Sequence, residues 1–421
     1  MNILWITNIL FPEAISILLG DENKLSGSGG WLLGSSEQLL NTGLYKLTIA
    51  APSNLVTKLT RIEGSKIVYY ALPCKNERKY YKCFESMWET IVESERIDLI
   101  HLHGTEFAHG LACLRADMGK PCVLSIQGMS EEIGYHYLDG FSAWDVFKST
   151  SIFDFLYAGS LFKQRRKYID HGVKIEREII KGVDNVIGRT SFDKAHVLAI
   201  NPSVRYYVCN ESLREEFYGE EKWKYENCTP HTIFLSQSTY TIKGLQQVLK
   251  AMPYILAKYP DAKVRIAGND ITSFPSLKAK LMQSSYSRYI TSLIDEYKLK
   301  GHITFLGALN AEQMKQEYLN CNAFICPSSI ENSPNSLGEA QILGVPCVAS
   351  YVGGIPDMIP TAECGKLYRF EDVVMLGDSV CQIFELGSAY DSSKEIMIAS
   401  ERHNRVKNKN ALLDIYHSIM K

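Results

Sequence analysis

The sequence predicts an α/β protein with two domains, each built around a mostly parallel sheet. Short apolar segments alternate with segments of helical period along nearly all of the 421 residues. Repeats of strand, helix and strand form right-handed crossovers, which pair the strands in parallel. The length exceeds what a single core normally serves, and the apolar residues, 46% of the total, can fill two cores.

Eleven apolar segments are predicted to be strands, and six amphipathic segments are predicted to be helices. The strands are 3–7, 47–51, 67–72, Leu99–His103, 123–127, 183–189, 232–236, 264–268, 303–307, Ala323–Cys326 and 345–349. The helices are 80–95, 162–181, 244–258, 287–299, Ala311–Asn320 and 336–344. Open parallel sheets bind ligands beyond the carboxyl ends of their strands, so we expect a site in the loops that follow strands.

The segment 215–230 is charged and aromatic and fits neither the strand period nor the helix period. We therefore predict a Rossmann-like domain over 1–218 and a second one over 219–398. The remaining residues, 399–421, show a charged helical pattern. The fold alone does not identify the chemistry, which depends on particular side chains.

The composition excludes several classes of function. A net charge of −2 provides no basic surface for nucleic acid. The eleven cysteines include no Cys-x-x-Cys pair, which indicates reduced thiols in a reducing compartment and no zinc site. The start, MNILWITNILFPE, has no basic leader, and no run of about 18 apolar residues occurs, so we expect a cytoplasmic protein without a membrane span.

The strongest local signal follows the predicted strand Ala323–Cys326. Glu331 and Glu339 stand eight positions apart, and Asn335 and Ser336 between them suit the start of a helix. Amides and the helix dipole at such a start attract anions, so a diphosphate there would have a carboxylate on either side. We expect Glu339, in the first turn, to accept from ribose hydroxyls and Glu331 to reach a transferred sugar. The alternative is a capped helix whose glutamates merely favour the dipole.

These residues resemble a known family of enzymes. PNSLGEA lies within the Glu-x7-Glu pattern, and GVPCVA and VGGIPD follow it. The arrangement is similar to the retaining glycosyltransferases of the GT-B fold, specifically glycosyltransferase family 4, the group 1 transferases, and is strongest over 232–360. The resemblance implies two Rossmann-like domains facing each other across a cleft. It also implies an acceptor in the first domain, a nucleotide-sugar donor in the second, and a last helix that packs back on the first.

In that family, the second glutamate holds the nucleotide ribose and the first contacts the donor sugar. Glu339 and Glu331 match these two positions. The helix-start residues Asn335, Ser336 and Leu337 complete this part of the implied donor site.

A lysine can meet a phosphate charge where the first helix of the second domain begins, at Lys243-Gly244, although a solvated lysine is the plain alternative. The family has an arginine and a Lys-Gly pair on the diphosphate in this loop. Lys243 matches the lysine, but Gln237 occupies the arginine position. Another residue would then supply the missing charge, and Arg265 and Arg189 are candidates.

Gly29 and Gly30 lie in a glycine-rich segment after the first strand. The segment lacks the third glycine and the acidic partner of a dinucleotide-binding fingerprint. A flexible loop is one interpretation. The resemblance supports a donor-binding role, because the family has a Gly-Gly pair here.

Three residues at strand ends are candidates in the first domain. His101 and His103 share one face of a strand, and a metal pair there lacks a third ligand of obvious spacing. The resemblance favours His103 as a functional histidine near the donor sugar and the acceptor, whereas a histidine satisfied by the backbone is the alternative. Gln127 and Arg189 match the acceptor side, where an arginine could clamp a phosphate or form a surface ion pair. GRTxxD around Arg189 resembles a bacterial subgroup of the family.

A basic cluster at 163–167, KQRRK, lies within a predicted helix. It could contact an anionic membrane surface, because acceptors of such enzymes are often lipid-linked. The alternative is a solvated face balanced by Glu176 and Glu178.

The resemblance implies transfer of a hexose-type sugar from a UDP or GDP donor, with retention of configuration. The acceptor is expected to be a saccharide or a polyprenyl-linked saccharide in the assembly of capsule, O-antigen or exopolysaccharide. We expect no cofactor and no metal, since no Asp-x-Asp lies between apolar strands. The alternatives are a nucleotide-sugar epimerase, a sugar phosphorylase, or a non-catalytic binding protein, which the departure at Gln237 keeps open.

Overall fold

The structure is a computed structural model that describes residues 1–20, 30–151, 154, 160–274, 276 and 280–421. The chain forms two compact units. Unit 1 comprises Met1–Glu131, Asp170–Arg214 and His403–Lys421, and unit 2 comprises Glu132–Ile169 and Glu215–Arg402. The boundaries after Arg214 and Arg402 each lie four residues from the boundaries that we predicted after residues 218 and 398. The inclusion of Glu132–Ile169 in unit 2 differs from the uninterrupted first domain that we predicted.

The described residues form fourteen strands. They are β1 (Asn2–Ile6), β2 (Lys46–Ser53), β3 (Thr60–Glu63), β4 (Val68–Pro73), β5 (Leu99–His103), β6 (Cys122–Ser125), β7 (Asn185–Gly188), β8 (Arg205–Val208), β9 (Thr232–Leu235), β10 (Lys263–Ile266), β11 (Ile303–Phe305), β12 (Ala323–Cys326), β13 (Cys347–Ser350) and β14 (Lys366–Tyr368).

The helices surround the sheets. Those described are α1 (Pro12–Leu19), α2 (Gly30–Leu40), α3 (Cys83–Ser94), α4 (His109–Arg115), α5 (Ser130–Tyr135), α6 (Ala143–Ser149), α7 (Leu161–His171), α8 (Arg177–Lys181), α9 (Ser191–Ile200), α10 (Leu245–Lys258), α11 (Ser285–Glu296), α12 (Ala311–Asn320), α13 (Asn335–Leu343), α14 (Ile355–Met358), α15 (Val373–Leu386), α16 (Ser393–Arg402) and α17 (Arg405–Ile419). A π-helical turn, Gly172–Glu176, joins α7 to α8. None of the described helices is both long and apolar enough to cross a bilayer.

Unit 1 contains one sheet with the strand order β3-β4-β2-β1-β5-β6-β7-β8. Every neighbouring pair is parallel except β3 and β4. Successive side chains of β1 enter opposite cores, Leu4 and Ile6 on one face of the sheet and Ile3 and Trp5 on the other. Tyr416 of α17 belongs to the core that contains Trp5, so the last helix packs on unit 1, as the resemblance implied.

Unit 2 contains a second, wholly parallel sheet in the order β11-β10-β9-β12-β13-β14. Its strands are short and mostly buried, and β9 and β12 lie side by side at its centre. The strand order reverses between these two strands, and the loops beyond such a switch point are where open α/β sheets place ligands. Lys243 follows β9 and Glu331 follows β12, so the topology brings the two loops together.

Several predicted elements agree closely with the structure, and others do not. The bounds of β5, β12 and α12 are those predicted from the sequence. The strands β3, β8 and β14 were not predicted. The predicted helix 162–181 is interrupted by the π-helical turn, and the chain end consists of two helices, α16 and α17. The overall prediction of two parallel-sheet α/β domains is confirmed.

Candidate functional site

An ion pair joins the two central loops of unit 2. The Lys243 Nζ atom lies 2.5 Å from Glu331 Oε1, and the Ser328 hydroxyl donates to the same oxygen at 2.8 Å. Both charged side chains are largely shielded from solvent, with 20% of Lys243 and 15% of Glu331 exposed. Within the described residues, Glu331 Oε2 has no hydrogen-bond partner, so this oxygen is available to a ligand hydroxyl.

The charge of Lys243 is stabilised by its partner. Burial disfavours the ammonium form, but the Glu331 carboxylate outweighs burial, and the pKa of Lys243 lies above its usual value. Lys243 therefore remains protonated at neutral pH. An ammonium group has three N–H donors, so the pair with Glu331 leaves donors for an anion.

Two glycines allow the loops to approach this closely. Gly244 has a φ of 71°, and a Cβ there would lie 1.7 Å from the Pro327 carbonyl oxygen. Gly353 has a φ of 49°, and a Cβ there would lie 1.9 Å from the Glu331 carbonyl oxygen, to which Gly354 N–H donates at 3.0 Å. Only glycine adopts this conformation at such short contact without strain. The Lys-Gly and Gly-Gly pairs thus fix the backbone around Glu331.

The helix α13 begins at Asn335, directly after this loop. Pro334 precedes it as the N-cap without a side-chain cap, and the amides of Leu337 and Gly338 both donate to the Pro334 carbonyl. In the described part of the chain, the Ser336 amide has no acceptor, and Ser336 is partly exposed. The helix start therefore presents an N–H group and the positive end of the dipole, which together favour an anion.

The position of Glu339 differs from the prediction. It is the fifth residue of α13 and lies in the second turn, because Pro334 is the N-cap and the helix begins one residue earlier than expected. Its side chain is only 5% exposed. The Tyr318 hydroxyl donates to the Ser336 carbonyl at 2.9 Å and lies 3.5 Å from Glu339 Oε2. The Glu339 carboxylate is thus buried beside the start of α13, next to the Tyr318 hydroxyl that also contacts the Ser336 carbonyl.

The loop after β9 contains Gln237 where the resemblance implies an arginine. Gln237 is exposed and accepts a hydrogen bond from the Tyr240 hydroxyl at 3.3 Å. The suggestion that Arg265 supplies the missing charge is wrong for this structure. Arg265 makes a bidentate pair with Glu317, at 2.7 Å for each bond, and its charge is already compensated.

In unit 1, three predicted residues line one cavity. His103, Gln127 and Arg189 all face a space of about 60 Å³ at the carboxyl edge of the sheet, between α2 and α17. A single water needs roughly 10–15 Å³ by the same kind of measure, so the cavity admits several waters or part of a ligand. The structure therefore brings together the residues assigned to the acceptor side.

The two histidines of β5 share a face, as their spacing predicts. His101 and His103 stack with ring centroids 3.8 Å apart, and the Trp5 ring lies 4.6 Å from that of His103. Burial, together with the neighbouring His101, holds the pKa of His103 well below its usual value. His103 is therefore neutral at physiological pH, and it is the histidine nearer the loop.

Arg189 does not form a surface ion pair. Its guanidinium is buried, lies 2.7 Å from Glu211 Oε2, and donates to the carbonyls of Ile126 and Gln127. These bonds hold the ends of β6 and β7 together, so Arg189 cannot clamp a phosphate without leaving them. The GRTxxD pattern contains a capping box, in which the Thr190 hydroxyl accepts from the Asp193 amide at the start of α9.

The glycine-rich segment is described only in part. Gly29 lies outside the described residues, whereas Gly30 is the first residue of α2. The helix α2 contributes to the wall of the unit 1 cavity.

Residues 220–417 match the model of the family described as glycosyl transferases group 1. The match covers the loops with Lys243, Glu331 and Glu339, that is, all of the candidate site in unit 2. Across the described residues, no three His, Cys, Asp or Glu side chains lie close enough to hold a metal ion.

Several curated proteins share sequence with this chain. The D-inositol 3-phosphate glycosyltransferase of Mycolicibacterium smegmatis is 29% identical over 152 residues, 35% of this chain and 33% of the relative. A phosphatidylinositol N-acetylglucosaminyltransferase subunit of Schizosaccharomyces pombe is 22% identical over 284 residues, 66% of this chain and 52% of that protein. The chain thus spans about half or less of the length of these relatives.

Solved structures resemble the whole chain. The sucrose-phosphate synthase of Thermosynechococcus elongatus superposes with a TM-score of 0.72 at 16% identity, covering 100% of this chain and 99% of the other. The HepE protein of Anabaena, solved with UDP and glucose, gives a TM-score of 0.64 at 13% identity, covering 99% and 100%. At these identities the likeness establishes the fold, and the GT-B prediction is confirmed.

The sequence pattern did not indicate one further acid, which lies in unit 1. Glu106 follows β5 and accepts from the Asn8 side chain at 2.8 Å and from the Gly128 amide at 3.1 Å. It thereby joins the loops after three neighbouring strands. Burial raises the pKa of Glu106 despite these hydrogen bonds. Its position three residues beyond a strand end was the available signal.

The alternative that Glu176 and Glu178 balance the charge of the basic cluster at 163–167 is also wrong. Glu176 is fully buried and accepts from the Thr105 hydroxyl and from the amides of Ser130 and Glu131. Glu178 pairs with Arg115 at 2.6 Å. Neither glutamate is available to balance residues 163–167.

Proposed function

We propose that this protein transfers a hexose-type sugar from a UDP or GDP donor to a saccharide acceptor, with retention of configuration. The observation that supports it most is the Glu331 carboxylate, fixed by Lys243 and Ser328 in the loop that leads into α13. Two neighbours in fold are described with related ligands: HepE with UDP and glucose, and an Escherichia coli trehalose-6-phosphate protein with UDP-2-fluoro glucose.

The donor is bound by unit 2 in this proposal. The diphosphate lies at the start of α13, where the Ser336 amide and the dipole favour negative charge, and Lys243 supplies the cation. Glu331 Oε2 accepts from a hydroxyl of the transferred sugar. Glu339 accepts from the ribose hydroxyls, and Asn335 and Gln237 line the same donor site. Leu337, which the sequence placed in this site, is fully buried, and its amide donates to the Pro334 carbonyl.

In the reaction, the bond between the anomeric carbon and the diphosphate oxygen breaks. The acceptor hydroxyl oxygen forms the new bond on the same face of the sugar, and its proton passes to the departing diphosphate. The transition state resembles a sugar cation, with negative charge growing on the leaving group. Lys243, the Ser336 amide and the helix dipole stabilise that growing charge more than they stabilise the ground state, so they lower the barrier without a metal ion.

The acceptor is bound by unit 1, in the cavity lined by His103, Gln127 and Arg189. We propose a saccharide or polyprenyl-linked saccharide of cell-surface polysaccharide assembly, processed at the cytoplasmic side. One exposed face of α7 supports a lipid-linked acceptor: Phe162 is 57% exposed, and Lys163, Arg166 and Lys167 lie within the same arc of the helix. An exposed aromatic group among cations suits an anionic bilayer surface.

The membrane contact has a direct test. The protein should sediment with vesicles of phosphatidylcholine and phosphatidylglycerol. The double variant Lys163→Glu/Lys167→Glu should not sediment with them. The single variant Lys163→Glu should reduce sedimentation, and Lys407→Glu, which reverses one charge on α17, is its matched control. Equal sedimentation of all variants would disprove a role for α7.

The proposed function is tested by nucleotide binding and turnover. Thermal unfolding with UDP, GDP and ADP should show a rise in midpoint for UDP or GDP, since a ligand that binds only the native state stabilises it. Incubation of the corresponding sugar nucleotide without acceptor tests for an epimerase, which would convert the donor to its epimer. A separate incubation of a glycan with inorganic phosphate tests for a phosphorylase, which would release sugar 1-phosphate. If the Glu331→Gln variant binds the nucleotide and turns over as fast as the wild type, the role assigned to Glu331 is wrong.

A further inference from the structure

A chain of hydrogen bonds runs from the core of unit 1 to its cavity. The Trp5 Nε1 group donates to the Tyr416 hydroxyl at 3.0 Å, and that hydroxyl lies 2.6 Å from His101 Nδ1. His101 Nε2 lies 2.7 Å from the Ser125 hydroxyl oxygen. All four side chains are buried, and three of them, Trp5, His101 and Ser125, line the cavity.

The chemistry of the first link fixes the direction of the chain. An indole N–H can only donate, so the Tyr416 oxygen is the acceptor in its bond with Trp5. The Tyr416 proton then needs an acceptor, and within the described residues the only one in reach is His101 Nδ1. Tyr416 therefore donates to His101.

The direction continues through the histidine. Because Nδ1 accepts, the proton of the neutral ring resides on Nε2, which donates to the Ser125 oxygen. Burial lowers the pKa of His101 to about 3, so the ring does not gain a second proton at physiological pH. His101 thus relays the orientation set by Tyr416 to Ser125.

Ser125 is the last member of the chain. Its oxygen accepts from His101, and its own O–H finds no acceptor among the described side chains and carbonyls. A hydroxyl that accepts a hydrogen bond becomes a better donor, because bonds in a chain polarise one another. The Ser125 proton is therefore directed toward the cavity, where a ligand oxygen can satisfy it.

We propose that Ser125 is a specificity-determining residue that donates a hydrogen bond to a hydroxyl or ring oxygen of the saccharide acceptor, and that Tyr416 and His101 are positioning residues for it. This inference rests on the proposed function, in which the unit 1 cavity binds the acceptor. It assigns a direct substrate contact to a residue that no pattern in the sequence indicated. It also gives the last helix, α17, a part in acceptor recognition.

The tautomer of His101 provides a test that needs no substrate. In protein labelled with ¹⁵N-histidine, the His101 resonance is assigned by comparison with the His101→Gln variant. We expect the neutral form with the proton on Nε2, unchanged from pH 6 to pH 8. A proton on Nδ1 would reverse the chain and overturn the proposal.

A binding measurement tests the role of Ser125. The probes for saturation-transfer NMR are methyl α-D-glucopyranoside and its galacto and manno isomers. Ser125→Ala should weaken binding about fivefold, the usual effect of one neutral hydrogen bond. Tyr416→Phe should weaken it less, and the double variant should equal Ser125→Ala, because Tyr416 acts only through Ser125.

The control is Tyr45→Phe. It removes another hydrogen bond to the same helix, from Tyr45 to His417 at 3.1 Å, and leaves the chain to Ser125 intact. Binding by this variant should match the wild type. Circular dichroism and unfolding midpoints confirm that each variant is folded.

Three results would overturn the inference: equal binding by Ser125→Ala and the wild type, additive losses in the double variant, or no binding of any glycoside to the wild type. UDP or GDP stabilisation measured on the same samples separates this failure from failure of the proposed function. If the nucleotide still binds, the proposed donor site is unaffected, and only the role of Ser125 is disproved.

Discussion

Lys243 and Glu331 are 88 residues apart in sequence, and their charged atoms lie 2.5 Å apart in the structure. Each follows one of the two central strands of unit 2, so the pair spans the point where the strand order reverses. The same contact fixes one carboxylate oxygen and leaves the other open. We infer that this pair orders the proposed donor site before any ligand binds, which reduces the cost of ordering it later.

Replacement of Glu331 should separate turnover from binding. Glu331→Gln keeps the shape of the side chain but removes the charge that faces the sugar, so turnover should fall about a hundredfold or more. The UDP or GDP affinity should change by less than about threefold, since the diphosphate contacts remain. Steady-state kinetics and calorimetry measure the two effects. Glu312→Gln, on α12, is the control and should behave as the wild type.

Replacement of Lys243 should affect the phosphates selectively. Lys243→Met removes the cation, so the affinity for UDP or GDP should fall about tenfold or more, as expected for a lost charged hydrogen bond. The affinity for the corresponding nucleoside, which has no phosphate, should not change. Titration calorimetry with both ligands measures this difference. Equal losses for nucleotide and nucleoside would place Lys243 away from the diphosphate.

Gly244 should tolerate no side chain. An alanine there adopts the left-handed conformation, which costs about 1–2 kcal/mol, and its Cβ also meets the Pro327 carbonyl oxygen at 1.7 Å. The unfolding free energy should therefore fall by several kcal/mol. Gly301→Ala is the matched control, because Gly301 has a φ of 91° and no heavy atom within 4 Å of its added Cβ. A urea unfolding series that shows equal losses for both variants would contradict the close approach.

Glu176 should make the stability of the protein depend on pH. Burial raises its pKa to about 7, even though the Thr105 hydroxyl and two amides donate to it. The folded state then holds a proton that the unfolded state releases above its ordinary pKa, so this contribution to stability is present at low pH and is lost as pH rises toward 7. Relative to the wild type, Glu176→Gln should gain on the order of 3 kcal/mol between pH 4.5 and pH 8. Chemical unfolding at several pH values measures this. A constant difference between the two proteins would show that Glu176 is charged throughout.

The sequence predicted those features that depend on local pattern. The bounds of β5, β12 and α12 followed from apolar spacing, and the Glu-x7-Glu segment identified the loop before α13. Features that depend on partners distant in sequence were not predictable in this way. Arg265 has the same local context whether it faces a ligand or Glu317. The hydrogen bond between Tyr416 and His101 joins residues 315 positions apart, and no periodicity indicates it.

One error came from helix geometry. Glu339 was expected in the first turn, but the N-cap at Pro334 shifts it into the second turn and beneath Tyr318. The motif predicted a carboxylate near the start of α13, and it did not indicate how deeply that carboxylate is buried. The depth of Glu339 matters because a buried carboxylate contacts only a ligand group that enters the space beside α13.

The bond between Trp5 and Tyr416 links β1 to α17, across 411 positions of sequence. During synthesis, the first strand leaves the ribosome long before the last helix does. The wall that α17 provides for the cavity therefore cannot form until α17 itself has been synthesised. A nascent chain that stops before α17 would contain the loops of Lys243 and Glu331 and yet lack this wall, so the proposed acceptor site would be incomplete in it.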